Sequence, residues 1–274
     1  MSAKALVIAG YGLNCEEETA HAFEHVGLSA EIRHINDLAE NPKELENTQV
    51  LCIPGGFSYG DDTGSGNAFA QKMRLTLGDH LKKFVEQDTL TIGICNGCQI
   101  VANLGLAPAL DHKYGERMVA VTHNLTARYQ CRWVDVAVQN TNSPWLQGIQ
   151  TLHIPVAHGE GRFMMGEDTL KTLQDVKQIA LRYVKPDGTS AKGEYPYNPN
   201  GSTDDIAGIT DPSGRVLTLM PHPERGMFNW QRDDYARLKD KARRAGQALP
   251  ERADGLALFE NAATYFEIAK RKSA

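Results

Sequence analysis

Short apolar runs alternate with amphipathic stretches over the first hundred residues of the chain. The runs predict strands at residues 5–9, 30–35, 50–53 and 90–94. The amphipathic stretches predict helices at residues 16–26, 67–87 and 99–104. Strands that alternate with helices imply right-handed crossovers and a parallel sheet, in which ligands bind at the carboxyl ends of the strands.

The pattern changes after residue 125. Residues 129–138 alternate between apolar and polar positions, as in a half-exposed strand. Further short strands are predicted near residues 151–157, 178–184, 206–210 and 215–220, with Pro-, Asn- and Gly-rich turns between them. We therefore predict an α/β fold, with a mostly parallel central sheet flanked by helices and continued by an antiparallel extension.

The last fifty residues have a different character. Residues 226–253 are highly charged and are predicted to wrap the surface. A closing helix is predicted at 256–269, with an apolar face formed by Leu256, Phe259, Ala263, Phe266 and Ile268. We interpret residues 1–274 as one domain, with a core at about 4–225 and an extension with the closing helix at 226–274.

The amino-acid composition argues against several kinds of partner and location. The net charge is -5, which argues against a nucleic-acid partner. No apolar run approaches the roughly 20 residues that span a bilayer, so no membrane partner is expected. Five cysteines at irregular spacing do not form a disulfide framework, and a reducing cytoplasmic location fits them.

One stretch predicts a nucleophile. The apolar run at 90–94 ends at Cys95, and Gly93-x-Cys95-x-Gly97 has the spacing of a strand–turn–helix elbow. Such a corner is so tight that side chains on either side of the nucleophile would collide, which explains the glycines. A cysteine there lies at a helix N-terminus, where the dipole favours the thiolate.

Other interpretations of Cys95 stay open at this point. A cysteine at the end of a buried strand is often a small core residue. Cys95-x-x-Cys98 also has a redox spacing, and it is half of a zinc site. The chain has no second Cys-x-x-Cys pair to complete four zinc ligands, so we predict no metal.

A second stretch, residues 217–225, predicts a base. His222 and Glu224 are two residues apart and are held in extended backbone by Pro221 and Pro223. Side chains two apart in extended backbone point to the same side, so the carboxylate can orient the imidazole. With Cys95 they predict a Cys-His-Glu triad, although a surface His and Glu after a strand is the simpler alternative.

A glycine pair provides the remaining requirement for attack on a carbonyl. Gly55 and Gly56 follow the strand at 50–53, where a backbone N–H without a neighbouring side chain can bind an oxyanion. The N–H of Asn96, next to the nucleophile, is the second predicted donor. Gly10-x-Gly12 lacks the third glycine of a dinucleotide motif, and no Gly-x4-Gly-Lys-[Ser/Thr] motif indicates ATP binding.

These motifs resemble those of class I (triad) glutamine amidotransferases, whose core is flavodoxin-like. They are most similar to the glutaminase subunit or domain of phosphoribosylformylglycinamidine synthase. The resemblance rests on segments 54–61, 93–99, 155–163, 195–202 with 206–208, and 220–225. The Gly-x-Cys-x-Gly motif is shared by the broad class, whereas His-Gly-Glu-Gly-Arg-Phe and Asn-Pro-Asn-Gly-Ser are typical of this synthase.

The resemblance implies roles for the matching residues. Cys95 attacks the side-chain amide of L-glutamine, His222 protonates the departing ammonia, and Glu224 holds His222. The implied oxyanion hole is Gly55 or Gly56 with Asn96, and the implied substrate-binding residues are Gln99, Phe57, His158 and Gly159. Ammonia then passes to a synthetase partner that binds ATP and magnesium, so this chain itself is expected to need no cofactor.

The chain departs from the family pattern in places. Residues 62–70 are more similar to the corresponding loop of the large fused enzymes. Residues 226–253 form a longer segment than the compact subunits have. Both departures affect how the synthetase and a small accessory subunit would dock. Cys98 stands where an aromatic residue is more usual. Alternative functions are another elbow-cysteine hydrolase, a Cys-x-x-Cys redox protein, or an inactive regulatory subunit.

Overall fold

A computed structural model of the chain describes residues 3–139 and 142–273. A nine-stranded sheet forms its centre, in the order β2-β1-β3-β4-β11-β10-β9-β6-β7. Its strands are β1 (Lys4–Ala9), β2 (Ser29–His34), β3 (Val50–Ile53), β4 (Leu90–Ile94), β6 (Gln130–Val138), β7 (Thr151–His158), β9 (Ile179–Val184), β10 (Ile206–Thr210) and β11 (Val216–Leu219). Two short strands, β5 (Ala120–Thr122) and β8 (Arg162–Met164), pair separately.

The first five strands of this order run parallel, and β10, β9, β6 and β7 continue the sheet antiparallel. Every residue of β3, β4 and β11 is buried, as expected for strands that are covered on both faces. The predicted mostly parallel α/β fold with an antiparallel extension is confirmed. The order 2-1-3-4 at one side is that of flavodoxin-like sheets.

Most of the helices lie between these strands along the chain, and the last two follow β11. They are α1 (Glu16–His25), α2 (Ile35–Glu40), α3 (Asn67–Glu86), α4 (Asn96–Leu104), α5 (Glu167–Asp175), α6 (Tyr235–Arg244) and α7 (Leu256–Ser273). The short helices α2 and α5 were not predicted. Ile35, predicted to end a strand, instead begins α2 because the His34 side chain caps that helix by accepting the N–H of Asn36 at 3.2 Å.

The C-terminal segment agrees with the predicted pattern where it is described. On α7, Leu256, Phe259 and Phe266 are buried, and Phe259 meets Phe23 of α1 edge to face at 5.0 Å between ring centroids. The side chain of Ile268 lies outside the described residues. Helix α6 buries no side chain, and no helix in the described part of the chain is both long and apolar enough to cross a membrane.

Candidate active site

The sheet brings the two chemically informative segments together. Strands β4 and β11 are parallel neighbours with Ile94 opposite Leu219, and the N–H of Cys95 donates to the Leu219 carbonyl at 2.9 Å. His222 follows β11 by three residues, and its N–H donates to the carbonyl of Pro155 at 2.8 Å. The thiol and the imidazole therefore lie at the same carboxyl edge of the sheet, where ligands of parallel sheets bind.

Cys95 occupies a strained corner. Its backbone angles are φ 52° and ψ −107°, and α4 begins at the next residue rather than at the predicted Gln99. A Cβ atom on Gly93 would lie 2.7 Å from the Gly97 carbonyl oxygen, and one on Gly97 would lie 1.8 Å from the Ile53 oxygen. Only glycine fits either position, so the corner has the geometry of a nucleophile elbow.

His222 and Glu224 form a buried pair. The Nδ1 atom of His222 lies 2.6 Å from Oε1 of Glu224. Within the described residues the other ring nitrogen, Nε2, is buried without a hydrogen-bond partner. Burial alone would lower the pKa of His222, but the Glu224 carboxylate and the thiols of Cys95 and Cys15 raise it well above its ordinary value. The arrangement leaves one nitrogen free for proton transfer.

The glycine pair lies beside the imidazole. A Cβ atom on Gly55 would come within 2.7 Å of Cε1 of His222, so this glycine leaves room for the ring. In the described part of the chain, no acceptor takes the N–H of Gly55 or Gly56. Asn96 is the first residue of α4, and its N–H is one of the helix-end donors that the helix itself does not pair.

Two predicted substrate-binding residues line one pocket. Phe57 and Gly159 border a surface pocket of about 450 Å³, together with Asp61, His123, Ala127, Arg128, Tyr129 and Glu160. Chain neighbours of its lining residues contact the elbow: the Cys95 thiol donates to the Ala157 carbonyl at 3.6 Å, and the Asn96 side chain accepts the N–H of Ser58 at 3.1 Å. The pocket is therefore the opening next to the predicted nucleophile.

The other two predicted substrate-binding residues are buried below this pocket. Gln99 accepts a hydrogen bond from the Asn96 side chain at 2.7 Å and donates to the Glu160 carbonyl. The Nδ1 atom of His158 lies 3.1 Å from the Asn124 side-chain oxygen, and burial together with His222 lowers the pKa of His158 to about 3. Direct contact of either with a substrate stays a prediction.

Cys98 has the properties of a core residue. It is fully buried, and this burial raises the pKa of its thiol well above the ordinary range. Reactive redox cysteines have lowered pKa values and solvent access, and Cys98 has neither. The environment of Cys98 therefore argues against the Cys-x-x-Cys redox alternative.

Among the residues that the structure describes, two groups of side chains have potential metal-ligand atoms within 4.8 Å of one another: Cys15, His222 and Glu224, and His153, Asp233 and Asp234. In each group a histidine nitrogen already bonds a carboxylate, at 2.6 Å for His222 and 3.0 Å for His153. The absence of a metal from this protein stays a prediction.

Sequence reasoning missed several residues around this site. Asp61, Glu160 and Arg225 lie in segments that carried the family resemblance, yet they were given no role. Cys15 was not considered at all, because a cysteine before a helix has no local pattern that marks it. Cys15 comes close to His222 because β1 and β3 are neighbours in the sheet, which places the loop after β1 against Gly55, next to the imidazole.

The fold and the site together define a class I glutamine amidotransferase. The family described as the CobB/CobQ-like glutamine amidotransferase domain matches residues 2–266, and the chain belongs to this family. Within it, the chain resembles the phosphoribosylformylglycinamidine synthase subunits, which confirms the enzyme class predicted from the motifs.

Three relatives show the extent of this similarity. Subunit PurQ of that synthase from Methanococcus maripaludis is 47% identical over 264 residues, 96% of this chain and 97% of the relative. The Dehalococcoides mccartyi PurQ is 40% identical over 260 residues, 94% of this chain and 96% of the relative. A chain in the PurLQS structure from Thermotoga maritima is 29% identical with a TM-score of 0.70, covering 97% of this chain and all of that one.

Proposed function

We propose that the chain hydrolyses L-glutamine to glutamate and ammonia, with Cys95, His222 and Glu224 as a catalytic triad. The observation that carries the proposal is the elbow cysteine on β4 beside a buried His–Glu pair that follows β11. A nucleophile, a base and an orienting carboxylate at one sheet edge are the three groups that acyl transfer from an amide needs.

The first half of the reaction forms a thioester. The reaction starts from a Cys95 thiolate and a protonated His222: the sulfur attacks the side-chain carbonyl carbon of glutamine, and the carbonyl electrons move onto oxygen. The N–H groups of Gly56 and Asn96 stabilise this oxyanion, with Gly55 as the alternative donor. The tetrahedral intermediate collapses as Nε2 of His222 gives a proton to the amide nitrogen, and ammonia leaves.

The second half of the reaction releases glutamate. His222, now neutral, takes a proton from water, whose oxygen attacks the thioester carbonyl. The C–S bond then breaks, and the proton on His222 restores the starting pair with the Cys95 thiolate. Glu224 accepts a hydrogen bond from the Nδ1–H of His222 throughout, which directs Nε2 toward the reacting atoms.

The pocket beside Phe57 and Gly159 is the proposed glutamine site. Its lining includes the acidic side chains of Asp61 and Glu160 and the basic side chain of Arg128, which suit the charged amino and carboxylate groups of an amino acid. Gln99 and His158 lie beneath the pocket, and we propose that they support its floor.

Ammonia would pass to a synthetase partner that uses ATP and magnesium to make formylglycinamidine ribonucleotide in purine biosynthesis. The similarity to subunits of that synthase supports this partner. A small accessory subunit, a cytoplasmic location and the lack of a cofactor in this chain remain parts of the proposal. All five cysteines are free thiols, which suits a reducing compartment.

Glutamate release from L-glutamine, measured with and without a candidate synthetase, tests the proposal. We expect hydrolysis that increases when the partner and the acceptor nucleotide are present, and no hydrolysis by Cys95→Ala. An active Cys95→Ala variant would overturn the triad. If Cys95 in the assembled complex does not react with a glutamine-analogue electrophile, the regulatory-subunit alternative replaces the proposal.

A further inference from the structure

The loop after β1, residues 10–15, pairs with the loop that contains the proposed oxyanion donors. The N–H of Phe57 donates to the Gly12 carbonyl at 2.8 Å, and the N–H of Tyr59 donates to the Tyr11 carbonyl at 2.7 Å. A Cβ atom on Gly12 would lie 2.6 Å from the carbonyl oxygen of Phe57. The Gly10-x-Gly12 sequence therefore serves a close approach of two backbones rather than a dinucleotide.

These contacts set the orientation of the Gly55–Gly56 peptide. The N–H groups of Asn14 and Cys15 both donate to the Gly55 carbonyl, at 3.1 and 3.2 Å. In a trans peptide the carbonyl of Gly55 and the N–H of Gly56 point in opposite directions. The Gly56 N–H therefore points away from the loop at residues 10–15, and it has no acceptor among the described residues, as an oxyanion donor requires.

The last residue of this loop also meets the base. The Cys15 sulfur lies within 4.8 Å of the ligand atoms of His222 and Glu224, and a Cβ atom on Gly55 would be only 3.0 Å from it. Cys15 is buried, so solvent does not compete for these contacts. It therefore packs beside both Gly55 and the imidazole, which themselves lie against each other.

An arginine connects Cys15 with the segment that carries the base. The Nη2 atom of Arg225 donates to the Cys15 sulfur at 3.1 Å and to Oε1 of Glu18 at 3.0 Å, and its Nε donates to the same oxygen at 3.1 Å. Arg225 directly follows Glu224, and Glu18 lies in the first turn of α1. The 222–225 segment is thereby tied to the loop at residues 10–15.

From these contacts we propose that Cys15 is a positioning residue, which with Arg225 holds His222 and the Gly55–Gly56 peptide in their reacting arrangement. The proposal rests on the proposed triad and adds a residue that does not itself touch the substrate. Cys15 is not proposed as a second nucleophile, because it is buried and in contact with Arg225 and Gly55.

The test compares Cys15→Ala with Cys15→Ser in the full chain assembled with its synthetase. We expect Cys15→Ala to lower kcat for glutamine hydrolysis by on the order of tenfold to a hundredfold, with little change in KM, because the reacting groups lose alignment. Cys15→Ser keeps a hydrogen-bond acceptor for Arg225 and should recover most of the loss.

The pH profile provides a readout that a merely structural defect would not change. Because the Cys15 side chain helps to raise the pKa of His222, the alkaline limb of kcat/KM should move to lower pH in Cys15→Ala. Cys52→Ala is the matched control, because it also removes a fully buried thiol, in this case from β3. It should leave the pH profile of kcat/KM unchanged. Thermal unfolding of each variant shows whether it is folded.

A double-mutant comparison separates the inference from the proposed function. If Cys15 and Arg225 act through one contact, Cys15→Ala with Arg225→Gln should cost little more than the larger single loss. The inference is overturned if the two losses are additive, or if a folded Cys15→Ala variant keeps the wild-type kcat and pH profile. In either case, hydrolysis by the wild-type protein still supports the triad. If the wild-type complex releases no glutamate, the proposed function itself fails.

Discussion

The Nδ1 atom of His222 lies 2.6 Å from Oε1 of Glu224, and both side chains are withdrawn from solvent. A short hydrogen bond to a buried carboxylate fixes both the orientation and the tautomer of the ring. It also leaves Nε2 as the only nitrogen available to a substrate. The chemistry proposed for Cys95 depends on this relationship, because an imidazole that could rotate would not present one nitrogen reliably.

Glu224→Gln should therefore damage turnover far more than binding. We expect kcat for glutamine hydrolysis to fall by about 10²- to 10⁴-fold, since an amide can favour the wrong tautomer. The pKa of His222 should fall because the carboxylate no longer stabilises the imidazolium, so the alkaline limb of the pH profile moves to lower pH.

Steady-state glutamate release across the pH range checks the effect of Glu224→Gln. Glu194→Gln is the matched control, because Glu194 pairs with Lys185 at the surface and is half exposed. A Glu224→Gln variant that keeps the wild-type kcat and pH profile would show that the pair is structural.

The two cysteines of the Cys-x-x-Cys sequence should behave differently. Cys95→Ala should abolish hydrolysis, whereas Cys98→Ala should keep turnover close to wild type with a modest loss of stability. The reason is that Cys98 is fully buried against the core and its thiol has a raised pKa. Kinetics and thermal unfolding of both variants check this, and equal loss of turnover would restore the redox alternative.

Gly97→Ala should destabilise the fold as well as the elbow. The added methyl carbon would lie 1.8 Å from the backbone oxygen of Ile53, which cannot move without displacing β3. We expect a loss of at least about 3 kcal/mol in the free energy of unfolding.

Gly78→Ala is the matched control within a helix. Gly78 lies in α3, and a Cβ atom there meets nothing within 4 Å. This change should stabilise the chain by about 0.5–1 kcal/mol, because alanine loses less backbone entropy in a helix. Denaturant unfolding measures both variants, and similar effects in the two would contradict the steric account of Gly97.

His153 predicts a pH dependence of stability. Its Nδ1 lies 2.8 Å from Asp135 and its Nε2 lies 3.0 Å from Asp233, which connects β6 and β7 with the charged extension. Burial alone would lower the pKa of His153, but these two carboxylates raise it above its ordinary value. A raised pKa contributes stability that is complete below about pH 6.5 and is lost as pH rises through the folded-state pKa.

His153→Gln should therefore reduce the Tm more at about pH 5.5 than at a high pH above the folded-state pKa of the wild-type imidazole. His21→Gln replaces an exposed histidine on α1 and should change the Tm little at either pH. Thermal unfolding of the three proteins at both pH values is the measurement. A loss of equal size at both would mean that packing against Trp133, rather than charge, dominates.

The sequence by itself determined the elements with local causes. Continuous apolar runs identified β3 and β4, and the Gly93-x-Cys95-x-Gly97 spacing marked the corner. The spacing of His222 and Glu224 identified the pair, but the predicted extended backbone ends at His222: Pro223–Arg225 form a 3₁₀ turn, which still brings the two side chains together. Each of these signals lies within a few residues, so a pattern in the chain can express it.

Only the tertiary structure decided which distant segments meet. The neighbouring position of β4 and β11 brings residue 95 beside residue 222, and the pairing of β1 with β3 brings Cys15 to the same imidazole. The contact between Arg225 and Cys15 joins side chains that are 210 positions apart in the chain. Contacts of this kind depend on strand order, which no local hydrophobic or polar pattern encodes.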